Sequence, residues 1–128
     1  MAARVLRLGT ERIRGEGLRI GTVRRPPRGV PKEKFASGNW YDVWLPELSP
    51  SEATVKLGQK ATTDKEWAAF EKRYAKEMAA SSAGRVLDLL AALSHGTDFS
   101  VGCYCEDEAR CHRSMLRRLL KERGAKLA

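Results

Sequence analysis

Val101-Gly-Cys-Tyr-Cys-Glu-Asp-Glu-Ala-Arg-Cys-His-Arg-Ser-Met-Leu-Arg-Arg-Leu-Leu120 is the stretch on which the reading of this chain turns, because it holds all three cysteines and one of the two histidines. From Phe99 to Cys105 the residues are apolar to small and bounded by turn formers, the pattern of a short buried strand. Met115, Leu116, Leu119 and Leu120 recur at helical spacing, and Gly124 follows as a stop. Between strand and helix, Asp107 is the natural N-cap, which puts Glu108 to Arg110 in the first turn and Cys111 to Arg113 just after it. A strand that runs into a helix N-terminus gathers free backbone N–H groups and the positive end of the helix dipole. Function is expected here.

Three readings of the cysteines remain open. In the first they line an anion-binding or catalytic pocket, with Cys111 a thiol of lowered pKa and His112 or Arg113 an added donor. In the second, Cys103, Cys105, Cys111 and His112 hold a metal, since thiolates and imidazole suit zinc. The C-x-C spacing and the adjacent Cys-His pair are unusual for that ion. In the third the cysteines are small core residues, Cys111 lying one turn before Met115 on the apolar side.

Cys103-Tyr-Cys-Glu-Asp-Glu-Ala-Arg-Cys-His-Arg-Ser-Met-Leu116 resembles the closing motif of the domain of unknown function 488 family. There a strand ending in a cysteine and an acidic residue leads to Cys-His-Arg-Ser at a helix start. Arg24-Arg-Pro-Pro-Arg-Gly-Val30, Tyr41-Asp-Val-Trp-Leu-Pro-Glu-Leu-Ser-Pro-Ser51 and Trp67-Ala-Ala-Phe-Glu-Lys-Arg-Tyr74 resemble the same family in the same order. The resemblance implies a compact α/β domain and favours Cys111, His112 and Arg113 as site residues. It implies no particular reaction.

A chain of 128 residues is expected to form one domain, residues 1–16 being either a loose N-terminal arm or a short edge strand. No apolar run is long enough to span a bilayer, and no signal-peptide core opens the chain. An odd number of cysteines in one short stretch is not a disulfide framework, so a reducing cytoplasm is the expected home. The net charge of +8 is uneven: residues 1–34 carry ten Lys/Arg against three Asp/Glu, and the remainder is close to neutral. Such a basic quarter attracts polyanions, but it has no interleaved aromatic before Phe35, which argues against a base-stacking nucleic-acid surface.

Along the chain, Gly17 to Arg24 alternates as a strand with Leu18, Ile20 and Thr22 on one face, and Pro26-Pro27 forces a loop after it. Arginines at such a strand end, Arg24, Arg25 and Arg28, make an anion clamp if they lie beside the Cys-His-Arg turn. Asn39 to Leu45 is aromatic and β-branched, a second strand. Ser49-Pro-Ser-Glu52 reads as a capping box for a short helix ending by Gly58. Thr63-Asp-Lys-Glu66 opens the clearest helix, with Trp67, Phe70, Tyr74 and Met78 in one stripe. Ser81 to Gly84 is read as a break, and Arg85 to Ser94 as a further helix.

The expectation is therefore a small α/β domain of two or three layers, a mostly parallel sheet of three to five strands flanked by helices. Its pocket takes a small anionic or nucleotide-like ligand through Arg24, Arg25, Arg28, Cys105, Arg113 and Ser114. If it is an enzyme, Cys111, His112 and Glu106 carry the chemistry; the alternative is a non-catalytic module for anions or nucleic acid. No cofactor is predicted, zinc on the four Cys/His ligands being the minority alternative.

Overall fold

The computed structural model describes residues 1–128. Four strands, β1 (Ala3–Arg7), β2 (Leu18–Gly21), β3 (Val43–Trp44) and β4 (Phe99–Cys103), form one sheet in the order β1-β4-β2-β3. Every pairing is parallel, so all four carboxyl ends open on the same edge. The motif strand β4 is central and all five of its residues are buried, as a strand with neighbours on both sides must be. Helices α1 (Glu52–Lys60), α2 (Asp64–Met78), α3 (Ser81–Leu93) and α4 (His112–Glu122) pack against the sheet. No helix is long and apolar enough to cross a membrane.

Alternation along the strands divides the two faces. Ile20, Phe99 and Val101 meet the α2 stripe of Tyr74 and Met78, Leu87 and Leu90 of α3, and Leu116 and Leu120 of α4 in the main core. On the reverse face, Gly21 and Gly102 pair in register beneath Tyr41 and Leu8. A Cβ on Gly21 would stand 2.3 Å from the Tyr41 ring, so irregular chain rather than a helix covers this face closely.

Of the two expectations for residues 1–16, Ala3 to Arg7 takes the edge strand, held by β4 on one side and by an isolated parallel bridge to Leu127 on the other. Other elements differ from the sequence reading. Leu18 is exposed, whereas Arg19 is wholly buried, because its guanidinium is satisfied inside the fold. The second predicted strand shrinks to Val43–Trp44, since Asn39 takes a left-handed φ of 63° and turns the chain away from the ladder. Ser51, not Ser49, caps α1 by accepting the Thr54 N–H, and Ser49 instead closes a 3-10 turn over Pro46–Leu48. Ser81 to Gly84 is the first turn of α3 rather than a break, and Ala83 is buried in the core.

Gly17 turns the chain into β2 at φ 69°, and a Cβ there would lie 1.9 Å from the Asp98 carbonyl oxygen. Backbone cannot yield as a side-chain tip can. Gly17→Ala is therefore expected to lower stability by well over ~1 kcal/mol, a change read directly as a fall in the melting temperature.

Candidate functional site

The strand does not run straight into the helix. Asp107 caps a one-turn 3-10 helix over Glu108–Arg110, accepting the Ala109 N–H at 3.0 Å, and Cys111 itself is the N-cap residue of α4. The extra turn swings the chain so that the Cys111 and His112 side chains are buried at the carboxyl end of β4, beside Cys103.

Cys103 Sγ hydrogen-bonds with Cys105 Sγ at 3.7 Å, and the donor atoms of Cys103, Cys111 and His112 all lie within 4.8 Å of one another. Cys103 and Cys111 are buried and Cys105 is exposed. The neighbouring Cys103 and Cys105 thiols hold the Cys111 thiol below the ordinary cysteine value; burial opposes this and His112 adds to it. Cys103 moves the other way, raised by its neighbours Cys105 and Cys111 and by burial. In Cys105 the bond to Cys103 lowers the value, but its neighbour Cys111 and burial prevail and leave it raised. The one thiol of the three that is lowered sits at the positive end of α4, which favours its charged form.

His112 is fixed by a residue distant in sequence. Its Nε2 lies 2.9 Å from the Thr22 carbonyl oxygen and 3.0 Å from Thr22 Oγ1, whose own hydroxyl donates to Gly102 O at 2.9 Å. A carbonyl only accepts, so Nε2 carries a proton and donates it. Nδ1 is left facing Cys111 Sγ at 3.9 Å. Tyr74 packs against the ring at 5.5 Å, its hydroxyl donating to Leu48 O.

Above these groups lies a cleft of about 1060 Å³, at the carboxyl edge of the sheet and over the start of α4. Cys103, Cys105, Cys111 and His112 form part of its lining. Arg7, Arg24, Arg25, Arg28, Lys56 and Arg110 surround it with only Glu52 as a counter-charge, and Trp40, Trp67, Phe70 and Tyr104 supply aromatic surface. Trp67 stacks on Phe70 at 4.3 Å, and Arg110 lies over the Trp67 ring at 5.5 Å. Arg24 donates to Pro50 O and Arg25 pairs with Glu52, whereas no ion pair engages Arg28 or Lys56.

A model of the DUF488-N3a family, described as the active DUF488-N3 subclade, matches residues 3–124. The chain belongs to the DUF488 family. No curated protein and no solved structure matches it.

For this DUF488 protein the structure brings together Arg24, Arg25, Arg28, Cys105, Cys111 and His112 around one cleft. Glu106 lies outside it: its side chain is 86% exposed and its one ionic contact is Arg7 at 3.7 Å. Ser114 turns back to donate to Cys111 O, stabilising the first turn of α4. Arg113 is buried rather than open to the cleft. Its Nη2 donates to Cys105 O at 2.5 Å, its Nε has no partner, and no carboxylate pairs with it. Its charge therefore acts from below, favouring anionic sulfur. Thr22, Lys56, Trp67 and Phe70 were not recognised as site residues from the sequence. Thr22 and the aromatic stripe have the patterns of ordinary strand and core residues, and α1 and α2 reach the site only through tertiary packing.

Cys103, Cys111 and His112 also qualify as a metal-binding set, their donor atoms all lying within 4.8 Å of one another. Two cysteine sulfurs and an imidazole whose far nitrogen is held by a backbone carbonyl match the donors and outer contact that zinc prefers.

Proposed function

We propose that this protein is a thiol-dependent enzyme acting on a small anionic, nucleotide-like substrate. The reading is carried by one observation: the lowered Cys111 thiol, in contact with His112, sits beneath a cleft whose charged lining residues are cationic but for Glu52. Arg28 and Lys56, free of ion pairs, and Arg24 and Arg25 hold the negative group, and Trp40 or Trp67 offers a surface for a planar ring. The Cys111 thiolate attacks the electrophilic centre, a bond to sulfur forms, and the bond to the leaving group breaks. His112 Nδ1 is the proton carrier for the leaving group, and water later cleaves the covalent intermediate. Glu106 has no role here.

Binding is read from Trp40 and Trp67 fluorescence with adenosine monophosphate and diphosphate as probes. Arg28→Ala combined with Lys56→Ala is expected to weaken binding at least about tenfold, because hydrogen bonds to charged groups are worth ~1.5–3 kcal/mol each. Unchanged affinity would remove the anion clamp. Retained binding with an unreactive Cys111 would leave the cleft as a non-catalytic anion module.

A second reading rests on the convergence of Cys103, Cys111 and His112. Bound there, zinc would act as a Lewis acid at the base of the cleft. The surrounding cations, including the unpaired buried Arg113, favour thiolate and an anionic ligand over a dication, and for that reason we place the free thiol first. Elemental analysis of protein purified without a metal-affinity tag decides between them, about one zinc per chain favouring the metal.

A further inference from the structure

The cleft has two aromatic walls, and a single nucleotide base covers only one of them. We propose that its ligand is a pair of phosphate-linked nucleotides, one base lying on each wall and the phosphates on the arginine loop between. Such a ligand rests on the reading of the cleft as a nucleotide site, and it requires neither a free thiol nor a metal.

The first wall stands on the chain after β1 and after β4. Trp40 meets Tyr104 edge to face, centroids 5.8 Å apart, and closes on Gly9, where a Cβ would lie 2.7 Å from its ring. Both rings are partly open to solvent. The second wall belongs to α2. Trp67 stacks on Phe70, whose ring lies so close to Gly58 of α1 that a Cβ there would stand 2.8 Å from it. Arg110 lies over the Trp67 ring with its side chain 41% exposed, and it lines the cleft. A guanidinium backed by an indole is a planar cation, and bases stack on such planes as they do on rings.

The loop after β2 joins the two walls. Towards the first, the Tyr104 hydroxyl donates to Arg25 O at 3.0 Å. Towards the second, Arg24 donates to Pro50 O at 2.8 Å and Arg25 pairs with Glu52 at the start of α1. Arg24, Arg28 and Lys56 line this strip without a carboxylate partner. A terminal phosphate carries about −1.5 to −2 charge at pH 7, so one mononucleotide leaves a cation unmatched and a linking phosphate supplies the rest. Size agrees. Drug-sized ligands fill pockets of roughly 300–1,000 Å³, and this cleft of about 1060 Å³ lies at the top of that range. The basic N-terminal quarter has no aromatic before Phe35, which by itself speaks against base stacking. Folding supplies what that segment lacks, by bringing Trp40, Tyr104 and Trp67 to it from elsewhere in the chain.

Calorimetric titration of the full chain with adenosine diphosphate and with the dinucleotide pApA, which has similar charge and one more base, tests this. Wild type should bind pApA at least about fivefold more tightly, the gain from stacking a further base. Trp40→Leu keeps apolar fill against Gly9 and removes the stacking ring, whereas Arg110→Lys keeps the charge and removes the plane. Each should bring pApA to within about twofold of adenosine diphosphate. The same titration separates two sources of the linked pair. Tighter binding of a longer oligoadenylate, fading steeply with salt, identifies single-stranded nucleic acid. Tighter binding of diadenosine diphosphate, with no gain from lengthening pApA, identifies a free dinucleotide. If wild type binds pApA no better than adenosine diphosphate, or if both variants keep the pApA advantage, the proposal is overturned and the nucleotide reading stands. Binding of neither ligand defeats that reading, and the linked pair with it.

Discussion

Replacing Glu16 by alanine is expected to destabilise the protein by about 3–5 kcal/mol, the usual cost of stranding a buried charge. Arg19 is fully buried, and its five N–H donors are all engaged. Nε and one Nη2 hydrogen reach the Glu16 carboxylate, and the others reach the carbonyls of Thr10, Glu11 and Asn39. The side chain thus ties the loop after β1 and the turn before β3 to the centre of the sheet. Many buried ion pairs can be exchanged for apolar residues without loss. Here that exchange should fail, because Arg19→Met with Glu16→Leu would leave the Thr10 and Glu11 carbonyls without their donor. Guanidinium denaturation at neutral pH measures both variants. A loss below ~1 kcal/mol for Glu16→Ala would place Arg19 outside the stabilising core.

The same pair predicts how stability responds to acid. Burial alone would raise the Glu16 carboxyl, but Arg19 and the Ile13 N–H outweigh it and leave it below its ordinary 4.5. A carboxyl whose folded value is depressed stabilises the fold fully above the unfolded value. It loses that contribution as the pH falls through the folded one. Asp42 behaves likewise: burial is again outweighed, here by Arg12 and by the Arg19 backbone N–H.

Alkylation of Cys111 by iodoacetamide is expected to be nearly independent of pH between about 6 and 8, since a thiol of strongly lowered pKa is already ionised there. An ordinary thiol with a pKa near 8.5 would speed up by roughly tenfold per unit, about a hundredfold over that range. Cys103 and Cys105, both raised, should label slowly and faster with rising pH. Cys111→Ser should remove the pH-independent phase while the fold persists. Site-resolved mass spectrometry gives the three rates, and a Cys111 rate that climbs tenfold per unit would sink the thiolate.

The α2 helix is written in a Thr63–Glu66 capping box and a stripe at i, i+3, i+7 and i+11, and all four stripe residues are buried. The central place of β4 follows from an uninterrupted small and apolar run. The cysteine cluster was legible because its members lie within nine residues of one another, as was the cationic strand end of Arg24 and Arg25. Helix starts were less secure, because both Ser49 and Ser51 have cap chemistry and only the neighbouring 3-10 turn decides between them.

By itself, then, the order of residues determined a parallel α/β domain with a thiol-rich strand-to-helix turn, since hydrophobic period and capping act over a few residues. Tertiary structure alone decided which groups share the site. The Thr22 carbonyl that sets the His112 tautomer is 90 positions away, and the cleft wall from α1 and α2 arrives through helix packing. It also decided that Glu106 faces solvent while Arg19 and Arg113 are buried. Charged side chains carry no local sign of their burial, because what makes burial tolerable is a set of partners supplied by distant parts of the chain.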